Sequence, residues 1–131
     1  MEHTDYAALA RLLGLTVNDL AEIGGFSDRY ARDLFAGKAR FPEDVKNALH
    51  DLDDDSDVIF DEIIADVQEG DGKVYIFKRN DDLRQYFPDW PGRGHALGGF
   101  VGPHRIAAMA AVKYFRSEGA EVDLCMWGEK K

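Results

Sequence analysis

The stretch Thr16-Val17-Asn18-Asp19-Leu20-Ala21-Glu22-Ile23-Gly24-Gly25-Phe26-Ser27-Asp28-Arg29-Tyr30-Ala31-Arg32-Asp33-Leu34-Phe35-Ala36-Gly37-Lys38 decides the fold. Thr16 is placed to cap a helix, with Asp19 as the acid of a capping box and Val17, Leu20 and Ala21 on one face. Gly24-Gly25 breaks that helix within about two turns. Ser27 caps the next, Ala31, Leu34 and Phe35 face inward, and Gly37 closes it. Two short helices around a glycine turn, with a helix on either side, is the helix-turn-helix plan. Such a turn holds the second helix at a steep angle, so that its N-terminal face can enter a DNA major groove. The outward residues there are Asp28, Arg29, Tyr30, Arg32 and Asp33. From Ser27 to Arg40 the basic residues Arg29, Arg32, Lys38 and Arg40 outnumber the acids Asp28 and Asp33, a local +2.

Outward from this stretch the pattern stays helical. Thr4 is expected to cap a helix carrying Tyr6, Leu9, Leu12 and Leu13, ended by Gly14. Phe41-Pro42-Glu43-Asp44 starts another, with proline near the first helical position and Val45, Ala48, Leu49 and Leu52 inward. Residues 58–67 are helical, with Ile59, Ile63, Ile64 and Val67 in register. The second half changes rhythm. Gly70-Asp71-Gly72 is a turn and residues 73–78 a strand. Asn80 caps a helix carrying Leu83, Tyr86 and Phe87, stopped by Pro88. A glycine-rich loop leads from Pro91 through Leu97 to Val101, a short strand. Gly102-Pro103 opens a helix over 106–115, Gly119 ends it, and Val122, Leu124 and Met126 alternate with Glu121 and Asp123 in a last strand. The fold class expected is α+β: an all-α bundle over 1–52, an acidic helical connector over 53–70, and a small α/β unit over 71–131.

Composition narrows the function. The 131 residues are 45% hydrophobic and 31% charged, as in an ordinary globular protein. No apolar run approaches membrane-spanning length, and Met1 to Asp5 lack a signal-peptide layout. The single cysteine, Cys125, excludes an internal disulfide framework and lies in an apolar run, as a buried thiol would. A cytoplasmic chain is expected. The net charge of -9 is local: residues 51–71 carry 10 acidic and no basic side chains, whereas 72–131 carry 10 basic and 7 acidic. The small side chains of Ala107, Ala108, Ala110 and Ala111 admit a close backbone, either the chain's own sheet or a second copy. Two small units with exposed strand edges point to a dimer.

Leu20-Ala21-Glu22, Gly25, Phe26-Ser27, Arg29 and Gly37-Lys38 resemble the Cro/C1 (Xre-type) helix-turn-helix regulators. Phe41-Pro42-Glu43-Asp44-Val45, Tyr75-Ile76-Phe77, Asn80 through Tyr86, and Arg105-Ile106-Ala107-Ala108 with Tyr114-Phe115 are similar to the YdiL-like and anti-CRISPR-associated (Aca) regulators. The resemblance implies a helix-turn-helix followed by a C-terminal dimerisation domain. It further implies a homodimeric repressor on an inverted repeat of double-stranded DNA, often autoregulatory, with no cofactor. Carried onto these positions, Ser27 presents its hydroxyl or N–H to phosphate and Arg29 and Arg32 contact guanines. Tyr30 touches a thymine methyl or a phosphate, and Lys38 and Arg40 grip backbone; Asn18, Asp28 and Asp33 complete the candidate DNA-contacting set. Two positions depart from the pattern. Gly24 precedes the turn glycine where an apolar residue is usual, and Val17 replaces a glutamine that contacts phosphate.

Other readings rest on fewer residues. Asp51, Asp53, Asp55 and Glu62 fall at loop positions 1, 3, 5 and 12 of an EF-hand, with Val58 at position 8. That numbering would make the chain calcium-responsive through residues 51–62, but Ser56 replaces the turn glycine and Ile59 offers no oxygen, so a solvated acidic connector that also caps the following helix is the preferred reading. A degenerate helix-turn-helix that contacts a basic protein through this segment is a further alternative. Enzymatic chemistry is not expected. The glycines at 92, 94, 98, 99 and 102 lack phosphate-loop spacing, and His95 and His104 with Arg93 and Arg105 offer anion binding without an activated nucleophile. Trp90 and Trp127, with Phe87, Phe100 and Phe115, read as core or interface aromatics.

Overall fold

The computed structural model describes residues 5–70, 72–86 and 100–128. In chain order these form α1 (Tyr6–Leu12), α2 (Val17–Gly24), α3 (Asp28–Phe35), α4 (Glu43–Glu69), β1 (Lys73–Ile76), α5 (Asn80–Tyr86), α6 (Val101–Ser117) and β2 (Asp123–Met126). The protein is mostly helical with a small two-stranded sheet, an α+β chain. The strands are parallel, with Lys73 opposite Asp123 and Ile76 opposite Met126. A parallel pair needs a long crossover, and α5 and α6 lie within it. Among the described residues no helix is long and apolar enough to cross a membrane.

Local signals place most helix ends. Asp5, rather than Thr4, caps α1 by accepting from the Ala8 N–H at 3.1 Å; Thr4 lies outside the described residues. Thr16 and Asp19 form the full capping box on α2. After α3 the N–H groups of Gly37 and Lys38 reach back to the carbonyls of Leu34 and Asp33, a left-handed stop that glycine at φ +76° permits. In α1 the expected inner face is shifted: Ala10 is fully buried, while Leu12 is 75% exposed.

Two hydrophobic cores share one spine. Ala10, Leu13, Leu20, Ala31, Leu34, Val45 and Leu49 belong to the first core, and Phe100 joins it from the second half of the chain. Ile59, Ile63, Val67, Val74, Phe77, Leu83, Ala107, Ala108 and Phe115 belong to the second. Helix α4 runs through both as 27 unbroken residues, about 40 Å at the usual rise. The segment 53–70 is thus the continuation of the 43–52 helix, and both unit boundaries drawn from the sequence fall on or beside this one rod. Residues 51–62, numbered above as an EF-hand loop, are helical throughout, so those carboxylates do not have the loop geometry that numbering requires.

In the second half two element boundaries move, and burial decides points the sequence left open. The strand ends at Ile76, and Phe77 turns into the core with no exposure. Val101 begins α6 instead of ending a strand. Ala107, Ala108 and Ala111 are buried within the chain, where α6 lies along α4 and β1, while Ala110 faces outward. Cys125 is half-buried in β2. Phe87, Pro88, Trp90, Arg93, His95 and the glycines at 92, 94, 98 and 99 lie outside the described residues.

Candidate nucleic-acid interface

Ser27 has extended backbone, φ -73° and ψ 157°, and its Oγ accepts from the Tyr30 N–H at 3.2 Å. That bond starts α3 and leaves Asp28 and Arg29 in its first turn. Ala31 and Leu34 are fully buried on one side of α3. A step of 100° per residue puts Arg29, Arg32 and Asp33 on the opposite side. Arg29 and Arg32, three apart, share an exposed strip. Asp28 and Asp33 stand four residues from Arg32 and Arg29 respectively, within reach of helical pairing. Among the described residues, however, neither guanidinium forms an ion pair. The strip therefore presents two uncommitted forks.

Around it the other candidates take separate places. Tyr30 is half-buried: its ring meets Phe26 edge-on at 4.8 Å and its hydroxyl donates to the Arg40 carbonyl at 3.3 Å. It braces the segment after α3 instead of standing free. Asn18, Lys38 and Arg40 are exposed, Asn18 in the first turn of α2 and the other two after α3. The turn itself accounts for Gly24. A Cβ there would overlap the Phe26 ring, so glycine lets the ring fold over the end of α2, and Gly25 takes the left-handed conformation at φ +69°.

The sequence reading missed the attachment of this pair of helices to the rest of the chain. Asp19 is only 5% exposed. One of its carboxylate oxygens accepts from the Thr16 N–H at 3.0 Å, and the other accepts from the Asn80 side-chain amide at 2.8 Å. The Asn80 Oδ1 in turn accepts from the Val101 N–H at 2.9 Å, satisfying a donor of the first turn of α6. Asn80, expected to cap its own helix, thus links the start of α2 to the start of α6. Beside it Arg84 bonds Glu22 at 2.7 Å and lies over the Phe100 ring at 5.1 Å. Gly102 packs so tightly on Gly14 that a Cβ would strike the Gly14 carbonyl.

Two more cations stand near α3. The Arg11 guanidinium lies 5.1 Å from the Phe35 ring centre and donates to the Phe35 carbonyl at 3.4 Å. Lys46 sits over the Tyr6 ring at 5.3 Å. Among the described residues no group of three or more His, Cys, Asp or Glu side chains is placed to share a metal ion. His104 is buried against Phe77, and burial, with the Arg105 charge beside it, lowers its pKa from 6.5 to about 4. A scan against protein-family models finds no match for this chain, and a search of curated proteins finds no significant relative.

Proposed function

We propose that the protein is a sequence-specific DNA-binding repressor, autoregulatory and homodimeric, of the Xre type that its sequence resembles. The observation that carries this reading is the pair Arg29 and Arg32, exposed on one side of a capped helix opposite Ala31 and Leu34 and, among the described residues, without a carboxylate partner. Two guanidinium forks three residues apart suit bidentate contacts to guanine O6 and N7 in a major groove. Ser27, Asp28 and Asn18 stand at helix starts, where N–H groups favour phosphate, and Lys38 and Arg40 extend the basic edge.

The dimer draws support from α6. Ile106 and Met109 are 45% and 47% exposed, and Tyr114, 40% exposed, packs edge-on against Phe60 of α4 at 6.1 Å. Next to this apolar strip the two helices carry opposite charge. Residues 51–69 of α4 have nine acids and no base, while α6 has Arg105, Lys113 and Arg116 and no acid. A twofold pairing that sets α6 of one copy on α4 of the other covers the apolar side chains and matches the charges. Two reading helices then address the two halves of an inverted repeat, and occlusion of a promoter is the mechanism.

Selection from a pool of random duplexes tests the reading. The chain is expected to enrich one inverted repeat with half-sites about 10 base pairs apart, or a multiple. Recovery of unenriched pool contradicts it.

A further inference from the structure

We infer that the groove between the end of α1, the start of α2 and the end of α3 holds a DNA backbone phosphate, with Arg11 as its anchor. The inference rests on the DNA-binding reading above and adds a contact on a helix outside the two that flank the glycine turn. The groove has a volume of about 470 Å³, and Arg11 and Arg32 both line it, with Leu15, Val17 and Phe35 as its apolar wall. Among the described residues that line it there is no Asp or Glu. Two like charges facing one cavity repel each other, and an anion between them relieves that repulsion.

Arg11 is held for this task. Its stacking on Phe35 and its long bond to the Phe35 carbonyl fix the guanidinium while engaging one of five N–H donors. Thr16 and Val17, at the start of α2, also line the groove. Arg32 belongs both to this groove and to the strip that carries Arg29. A phosphate held here therefore lies along one wall of the major groove that α3 enters, with Arg29 pointing at bases beyond it. The contact sets register on the duplex and carries no sequence information. A purely structural Arg11, tying α1 to the end of α3, predicts the same packing but no effect on counterion release.

Salt titrations separate these roles. Wild type, Arg11→Gln, Arg11→Lys and Ala36→Glu are each titrated against the selected duplex and against a random-sequence duplex. Thermal melts of each variant are run in parallel. Arg11→Gln is expected to weaken binding to both duplexes by the same factor and to make the slope of log K against log salt shallower by about 0.9 per bound copy. Arg11→Lys, which keeps the charge, retains the wild-type slope. Ala36→Glu removes no contact but places a carboxylate in the groove, and it reproduces the affinity loss of Arg11→Gln. A wild-type slope in Arg11→Gln, or stabilisation by inorganic phosphate that depends on Arg11 while the duplex slope does not, overturns the phosphate site and leaves the repressor reading standing. Failure of the wild type to bind any duplex overturns both.

Discussion

The Asp19 carboxylate and the Asn80 amide, 61 positions apart in sequence, meet at 2.8 Å, and that bond joins the helix pair carrying Arg29 and Arg32 to the unit built on the parallel sheet. With Thr16 on one side and Val101 on the other, it forms a continuous chain of hydrogen bonds between the starts of α2 and α6. The placement of α2 and α3 relative to α6 thus rests on polar geometry as well as on packing along α4.

Asn80→Ala leaves the buried Asp19 carboxylate one donor short and strips the Val101 N–H of its acceptor. Such losses cost about 1–3 kcal/mol. Urea unfolding should show a lower midpoint with an unchanged slope, and Asn80→Asp, which sets two carboxylates together, should be worse than alanine. Wild-type stability in both variants would contradict the link.

Gly102→Ala tests the backbone contact between the two halves. The added methyl meets the Gly14 carbonyl, which sits in a left-handed turn and has no side chain to rotate away. Overpacking of this kind costs about 1–3 kcal/mol. Gly128→Ala is the control: its Cβ meets no atom within 4 Å, and only the cost of its φ of +84° remains. The larger loss is expected at position 102.

His104 gives the stability a pH dependence with a defined sign. Burial and the neighbouring Arg105 charge lower its pKa from the ordinary 6.5 to about 4 in the folded protein, so the unfolded chain binds the proton first as pH falls. Stability is unaffected above the unfolded value and falls between about pH 6.5 and pH 4, by up to about 3 kcal/mol. His104→Leu should flatten that part of the profile. An unaltered acid limb in the variant would show that other groups set it.

Ile106→Asp and Met109→Asp place a charge on the apolar strip of α6 without touching either core. Light scattering after size exclusion should show a dimer for the wild type and a monomer for the double variant, with an unchanged circular dichroism spectrum. A double variant that stays dimeric would place the contact elsewhere.

Local chemistry made much of this fold legible. The caps at Thr16 and Ser27 and the stops at Gly14, Gly25 and Gly37 act over a few residues, and each stands where the sequence put it. Leu12 was misplaced because burial follows the phase of the helix: Ala10 and Leu13 face the core, and the larger Leu12 points out. The unbroken length of α4 was hidden by Asp51, Asp53, Asp54, Asp55 and Asp57, poor helix formers that also repel one another. Leu52 and Ile59, packed in successive cores, hold the helix through them. At the candidate site, the exposure of Arg29 and Arg32 followed from helical period. The attachment of Asp19 to Asn80 and the stacking of Arg11 on Phe35 depend on packing between distant segments, which no local pattern encodes.

The most direct measurement is the ratio of affinities for the selected inverted repeat and a scrambled duplex, taken for wild type, Arg29→Ala and Arg32→Ala at one salt concentration. Each lost guanine contact is worth about 1–3 kcal/mol of discrimination, roughly five-fold to more than a hundred-fold in that ratio for each half-site. Both variants should remain folded dimers and lose that discrimination; Arg29→Ala should keep most of its affinity for the scrambled duplex, whereas Arg32→Ala, which also removes a cation lining the Arg11 groove, should lose some of it. Wild-type discrimination in both variants would contradict the account.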